Sequence, residues 1–291
     1  MTLRASKTKS IVVPTYDAES WIFELLCKSI SKFVYEPTTI AVYYCNDIDN
    51  FSNWKSWFDS YCLPYLSLHR VIVIDQKDIL DCSDSAYVRQ NVCKFHSCYV
   101  VDTPYVVALD SKNFFFKRCS LDDILPTFPS LDINAPSSFN YKQHCLAAER
   151  FGYHKPLPLL KMNICPYIMS TDVLKDLISE VGGIHDLNNW WQTDVKKGLG
   201  FLRLSTYEIY EIARGNVMPG QVVSNNSTLF PESLHELSLT GILEWMNIPD
   251  KNVFVSGIHQ RVLHSIGEQL AERVIFELVG DDVLPNHSLL L

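Results

Sequence analysis

Long apolar runs are missing from this sequence. No segment of its 291 residues approaches the ~18 uninterrupted apolar residues that span a bilayer, so no transmembrane segment is expected. Basic charge is scarce as well. The formal net charge is −8 and the isoelectric point about 5.6. Nucleic acid is therefore disfavoured as the main partner, because phosphate binding calls for a basic surface; a local basic pocket stays open. No C-x-x-C pair occurs among the nine cysteines. Several of them (Cys27, Cys45, Cys93, Cys165) sit inside apolar patterns. That pattern reads as buried, reduced thiols in a cytoplasmic protein rather than a disulfide framework or a zinc site. Met1 to Ser10 is polar and basic, and the apolar run after it ends at Pro14, so no secretory signal is expected. The N-x-S/T triplets at Asn225 and Asn226 carry little weight without one.

Three chemical signatures are also absent. There is no G-x-G-x-x-G and no G-x-x-x-x-G-K-[ST], which weighs against dinucleotide and P-loop sites. There is no G-x-S-x-G, which weighs against an α/β-hydrolase.

What is present is an ordinary globular balance, 47% hydrophobic and 20% charged. Ser10 to Pro14 reads as a short buried strand that Pro14 ends. Trp21, Ile22, Leu25, Leu26, Ile30 and Phe33 follow at helical spacing. Thr39 to Cys45 and Arg70 to Ile74 read as strands. Between them, Trp54, Trp57, Phe58 and Tyr61 share a helical face. Val88, Val92, Phe95 and Tyr99 form the buried face of another helix. Tyr105 to Leu109 is an apolar run that reads as a central strand buried on both faces. Strand and helix alternate throughout, which predicts an α/β fold with a mostly parallel sheet flanked by helices.

The second half is less regular. Leu121 to Ser138 is rich in Pro and Asp and reads as loops. Tyr141 to Phe151 fits a helix or a strand entry. Ile164 to Met169 is strand-like. Thr171 reads as the N-cap of a helix that stops at Gly182-Gly183. Phe201 to Ser205 and Val253 to Ser256 read as strands, and Leu263 to Val274 as a final helix. No linker, repeat or low-complexity segment divides the chain, so one domain is expected over 1–291.

The first four strands each end in polar residues: Thr15 and Asp17, Asn46 and Asp47, Asp75, then Asp110-Ser111. In a parallel sheet these ends line one edge, where ligands of open α/β sheets bind. Arg89 lies on one side of the helix before the central strand. Gln90 and Lys94, four apart, share another face and would put a donor and a cation beside a phosphate. An ordinary solvated face gives the same spacing.

Ile11-Val12-Val13-Pro14-Thr15-Tyr16 and Leu109-Asp110-Ser111-Lys112-Asn113 resemble the nucleotide-sugar glycosyltransferases of the GT-A fold. More closely, the chain resembles a little-characterised bacterial family of that superfamily. The likeness rests also on Gln90 with Lys94, Cys165-Pro166-Tyr167-Ile168-Met169, Ser205-Thr206-Tyr207-Glu208-Ile209-Tyr210 and Ser256-Gly257-Ile258-His259. It implies a GT-A-like fold with a nucleotide-sugar-binding half, 1–120, and an acceptor-binding and catalytic half, 121–291. It also implies sugar transfer to a hydroxyl of a glycan or lipid-linked acceptor, as in polysaccharide biosynthesis. Pro14, Thr15, Tyr16, Asp17, Asn46, Gln90, Lys94, Asp110, Ser111 and Lys112 would bind the nucleotide-sugar.

The resemblance further implies an Asp-x-Asp site holding Mn2+ or Mg2+ on the diphosphate. Asp110 matches the first acid, but Lys112 stands where the second belongs. Either Asp110 holds the metal with Asn113 and His259, or Lys112 neutralises the diphosphate itself. A cation beside the leaving phosphate stabilises the same charge a metal would. Glu208 is the implied general base, with Glu211 behind it. Trp190 and Trp191, beside Gln192 and Asp194, fit either a sugar platform or the core. The rival reading is a non-catalytic nucleotide or glycan binder on the same fold.

Overall fold

The computed structural model describes residues 8–46, 50–80, 85–124, 139–155, 157, 165–197, 204–216, 226–229 and 254–258. Four parallel strands form the centre: β1 (Lys9–Thr15), β2 (Thr39–Tyr44), β3 (Arg70–Asp75) and β4 (Tyr105–Ala108). The connections carry α1 (Ser20–Phe33), α2 (Phe51–Tyr61) and α3 (Ala86–His96). After β4 come the short β5 (Asn113–Phe115), α4 (Phe139–Arg150) and β6 (Tyr167–Ser170). Three helices follow, α5 (Thr171–Glu180), α6 (Ile184–Lys196) and α7 (Ser205–Ala213), then β7 (Asn226–Leu229) and β8 (Val255–Ile258). The main sheet runs β3-β2-β1-β4-β6, and β6 is antiparallel to β4, with Tyr105 opposite Ser170. A smaller sheet runs β5-β8-β7.

The strands are apolar throughout because both faces of the sheet are covered. Ile11, Val13, Ile40, Val42, Val107 and Leu109 pack on one side with Phe23, Leu26 and Ile30 of α1 and Trp54 and Phe58 of α2. Val12, Ala41, Tyr43, Val106 and Ala108 pack on the other with Val88, Val92 and Phe95 of α3 and Trp191 of α6. Alternate residues of each strand thus feed two separate cores, as the two-residue period of a strand requires.

The strands expected in the first half are found, with small shifts at their ends. β1 continues past Pro14 to Thr15. The Thr15 carbonyl accepts the Cys45 N–H of the β2 side, so Pro14 turns its missing N–H toward β4. There the pairing has already stopped at Val12 and Ala108, and no ladder bond is lost. Tyr99 does not join the buried face of α3. The helix tightens into a 3-10 turn at Ser97–Tyr99, the face rotates, and Tyr99 is left 53% exposed. On α2, Trp54 and Phe58 are buried while Tyr61, one turn on, is exposed.

In the second half, Tyr141 to Phe151 lies largely in helix, as part of α4. The N-cap of α5 is Ser170, whose Oγ accepts the Val173 N–H at 3.5 Å. Thr171 is the first helical residue, and its hydroxyl donates back to the carbonyls of Thr103 and Pro104. The stop is as expected: Gly182 and Gly183 have φ of 100° and 120°, a region that favours glycine. At Gly182 a Cβ would also lie 2.5 Å from Asp186 Oδ2. Leu204 and Ser205 open a helix rather than close a strand: α7 begins at Ser205, and Leu204 to Tyr210 are buried all round it. Residues 125–138, 201–203 and the expected final helix lie outside the described residues. Among the described residues, no helix is long and apolar enough to cross a membrane.

Lys9 fixes the turn after β5. Its buried ammonium donates to the carbonyls of Leu121, Asp122 and Ile124 at 3.0, 3.2 and 2.8 Å. Glu36 Oε1 holds the same turn by accepting Ser120 Oγ and the Leu121 N–H. Lys9→Met keeps the apolar stem and strands these acceptors. The expected loss is about 2 kcal/mol or more of unfolding free energy, read from urea denaturation.

Candidate functional site

In the order β3-β2-β1-β4 the chain moves outward from β1 to β3, then returns to place β4 on β1's other side. The switch point lies between β1 and β4. The crevice outside the carboxyl ends of those two strands is where open α/β sheets take ligands. Two polar clusters flank it.

The first gathers on Asp17, in the turn after β1. Its carboxylate accepts the Tyr44 hydroxyl at 3.1 Å, Asn46 Nδ2 at 2.6 Å and Asn50 Nδ2 at 3.0 Å. The Asn46 carbonyl accepts Gln76 Nε2 at 2.9 Å, and Gln76 Oε1 accepts Arg89 Nε at 3.3 Å. Gln76 and Arg89 have no exposed surface. This string ties the ends of three neighbouring strands to the start of α3.

The second gathers on Asp110, just past β4. Lys94 Nζ lies 2.5 Å from Oδ1 and Lys112 Nζ 2.8 Å from Oδ2. Lys94 also reaches Cys165 Sγ at 3.5 Å. The side chains of Lys94, Lys112 and Asp110 are 4%, 20% and 28% exposed. Burial alone would raise the Asp110 carboxyl, but the two ammonium charges outweigh it and hold it far below the carboxylate range. Burial would lower both lysines, and the Asp110 charge raises them instead. Cys165 is pushed up to about 11, first by burial and then by Asp110, so it stays a thiol.

Glu19 bridges the two strand-end loops. It accepts the Tyr16 hydroxyl at 2.9 Å and a short bond from the Ser111 hydroxyl. Burial raises its carboxyl; the two hydroxyl donors oppose that, and the Asp110 charge adds to it. Tyr16 is raised too, by burial and then by Glu19.

Tyr16, Asp17, Asn46, Lys94, Asp110, Ser111 and Lys112 thus come together at the carboxyl ends of β1, β2 and β4. Pro14 and Thr15 lie in the buried end of β1. Gln90 is half-buried on α3, while Arg89 beside it is fully buried. Asn113 is fully buried. Its Oδ1 accepts the Asp110 N–H at 2.7 Å and its Nδ2 reaches the Ser256 carbonyl of β8 at 3.5 Å. Glu208 is 2% exposed on α7, which packs against α4 and α5. His259 lies outside the described residues.

The tryptophan pair forms no common platform. Trp191 is core, edge-on to Phe95 at 5.2 Å, and Gln192 beside it accepts the Ser85 N–H. Trp190 is half-buried, edge-on to Phe151 at 5.9 Å and under the Arg150 guanidinium at 4.2 Å. Adjacent helical residues are 100° apart, so a neighbouring pair divides between core and surface.

Sequence reasoning missed Glu19, Asn50 and Gln76. Two signals were available. Glu19 is three residues after Tyr16, and Asn50 is the residue flanking the start of α2, a position that favours Asn.

The donors at Asp110 do not fit a divalent cation. Each carboxylate oxygen already meets an ammonium, and the Asn113 oxygen is committed to the Asp110 N–H. Among the described residues, no three His, Cys, Asp or Glu side chains come together to hold a metal.

A comparison with curated proteins finds no match. Residues 9–232 match a family model described as "Family of unknown function (DUF6492)". That stretch includes both polar clusters and α7, and ends before β8. The chain belongs to the DUF6492 family, whose function is unknown.

Proposed function

We propose that this chain is a GT-A-like glycosyltransferase that moves a sugar from a nucleotide-sugar to a hydroxyl of a glycan or lipid-linked acceptor, with inversion. The observation that carries the reading is the pair of polar clusters flanking the switch point between β1 and β4. The Asp17 cluster groups a carboxyl with amide and phenol groups, a chemistry suited to ribose hydroxyls and a base edge. The Asp110 cluster offers ammonium groups, a chemistry suited to a diphosphate. The two fall on either side of the switch point between β1 and β4, an arrangement that supports one end of a nucleoside diphosphate at each. In the reaction, Glu208 takes the proton of the acceptor hydroxyl. The hydroxyl oxygen attacks the anomeric carbon, and the bond from that carbon to the diphosphate oxygen breaks.

A thermal-shift screen with nucleosides, nucleoside diphosphates and nucleotide-sugars tests the reading. A ligand present at a hundred times its Kd stabilises the fold by about 2.7 kcal/mol. One nucleoside diphosphate series is expected to raise Tm by several degrees. No shift from any of them at millimolar concentration would remove the nucleotide-sugar donor.

One observation favours the non-catalytic alternative: the second acid of an Asp-x-Asp pair is a lysine here. Release of nucleoside diphosphate from a bound nucleotide-sugar separates the two. Tight binding without release, across a panel of acceptors, would favour the binder.

A further inference from the structure

We infer that this site meets the diphosphate of its ligand with the Lys112 ammonium in place of a divalent cation, Lys112 turning from Asp110 to the phosphoryl oxygens while Lys94 stays on Asp110. The inference rests on the glycosyltransferase reading for what carries the diphosphate, but not for the anion site itself.

The two lysines differ in their freedom. Lys94 rises from α3, is 4% exposed, and is held by Asp110 Oδ1 and by Cys165 Sγ. Moving it would leave a nearly buried ammonium without its carboxylate partner, and a charge out of water is costly to leave unpaired. Lys112 sits at the tip of the turn between β4 and β5 and is 20% exposed. When it leaves, Asp110 keeps its Lys94 partner. The turn itself does not have to move, because Asn113 Oδ1 on the Asp110 N–H holds it.

Charge counting points the same way. One carboxylate between two ammonium groups leaves a net charge of +1 within the Lys94–Asp110–Lys112 cluster itself. A dication arriving there meets a like charge and must displace an ammonium from its oxygen. An anion meets an opposite charge and takes over a donor that Asp110 can spare. Glu19 faces the cluster from the β1 side, and its carboxyl oxygens are already met by the Tyr16 and Ser111 hydroxyls. Tyr16 and Ser111 stand on Glu19 rather than on the cation. Asp17, with three donors on its carboxylate, is turned to the other cluster.

The test is calorimetric titration with inorganic pyrophosphate in EDTA, using the full chain. Wild-type protein is expected to bind it without added metal. Lys112→Gln is expected to lose roughly tenfold to a hundredfold in affinity, the equivalent of one charged hydrogen bond. Lys112→Arg should restore most of it. Lys117→Gln, a nearby lysine stacked on Phe116, should change nothing. Thermal unfolding of each variant checks that the fold is intact. Pyrophosphate binding that requires Mg2+ or Mn2+ and survives Lys112→Gln would overturn the inference, as would no binding under either condition. Nucleoside diphosphates titrated alongside separate it from the reading it rests on. Lys112-dependent pyrophosphate binding to which no nucleoside adds affinity would keep the anion site and sink the sugar donor. Nucleoside diphosphate binding that depends on manganese alone would do the reverse.

Discussion

Asp110→Asn is expected to cost about 3 kcal/mol of folding stability at neutral pH. Lys94 is 4% exposed and depends on that carboxylate. Asparagine keeps an oxygen for a hydrogen bond but removes the charge, leaving two ammonium groups side by side without the carboxylate between them. Breaking a buried pair from one side costs about 3–5 kcal/mol; the lower end applies because Asp110 keeps 28% exposure. The effect has a pH signature. The native Asp110 carboxyl is depressed, so its stabilisation is fully present above the unfolded value, near 3.9. It is lost as pH falls toward the native value. The gap between wild type and variant in urea denaturation should therefore be constant from about pH 5 to 8 and close below about pH 4. Glu19 works in the opposite sense: its raised carboxyl stabilises most below the unfolded value and less as pH rises. A neutral Asp110→Asn would mean that Lys94 finds enough solvent to do without a partner. Pyrophosphate binding should survive in the folded variant, since Lys112 then has no carboxylate to leave. A metal ligand at Asp110 would give the opposite result.

The parts of this architecture legible in sequence are those fixed by local pattern. Apolar runs such as Tyr105 to Leu109 announce strands buried on both faces, and their polar ends announce a sheet edge. Asp17, Asn46, Lys94, Asp110 and Lys112 were within reach because each lies just past such a run or at helical spacing before one. Strand order was not legible. That β4 lies on β1 rather than on β3 is decided by pairings such as Ile11 with Val107, far apart in the chain. The antiparallel sense of β6 is likewise a matter of long-range register. Glu19 and Gln76 were missed for a related reason. A single polar residue in a short turn has no periodicity, and it becomes notable only when folding brings Ser111 or Arg89 against it. The tryptophan pair shows the converse: sequence left platform and core equally open, and the helix turns Trp191 into the core while Trp190 stays half-buried.

Glu208→Gln is expected to lower turnover by about 10²–10⁴, the usual contribution of a general base, while nucleotide affinity and Tm change little. Glu208 sits on α7, 2% exposed, among the buried Thr206, Tyr207, Ile209 and Tyr210. Burial disfavours a carboxylate, which suits a base, since a proton taken from an acceptor hydroxyl then relieves the penalty. The same burial would suit a purely structural acid, and three measurements made side by side distinguish the two. The amide has nearly the same shape but cannot replace every bond of the acid, so a structural role predicts lower Tm with turnover per folded molecule retained. A base predicts the reverse, together with loss of the acidic limb of the pH–rate profile. Glu211→Gln is the matched control. Glu211 lies one turn further on, in an open groove of about 580 Å³ that also takes in Asp176, Glu180, Tyr210 and Arg214. Burial raises the Glu211 carboxyl, which by itself does not make it the base. If Glu211→Gln removes turnover and Glu208→Gln does not, the base lies on the groove side of α7 and the acceptor enters between α5 and α7. If neither does, the transfer needs no carboxylate from this helix, and a retaining reaction becomes the better account.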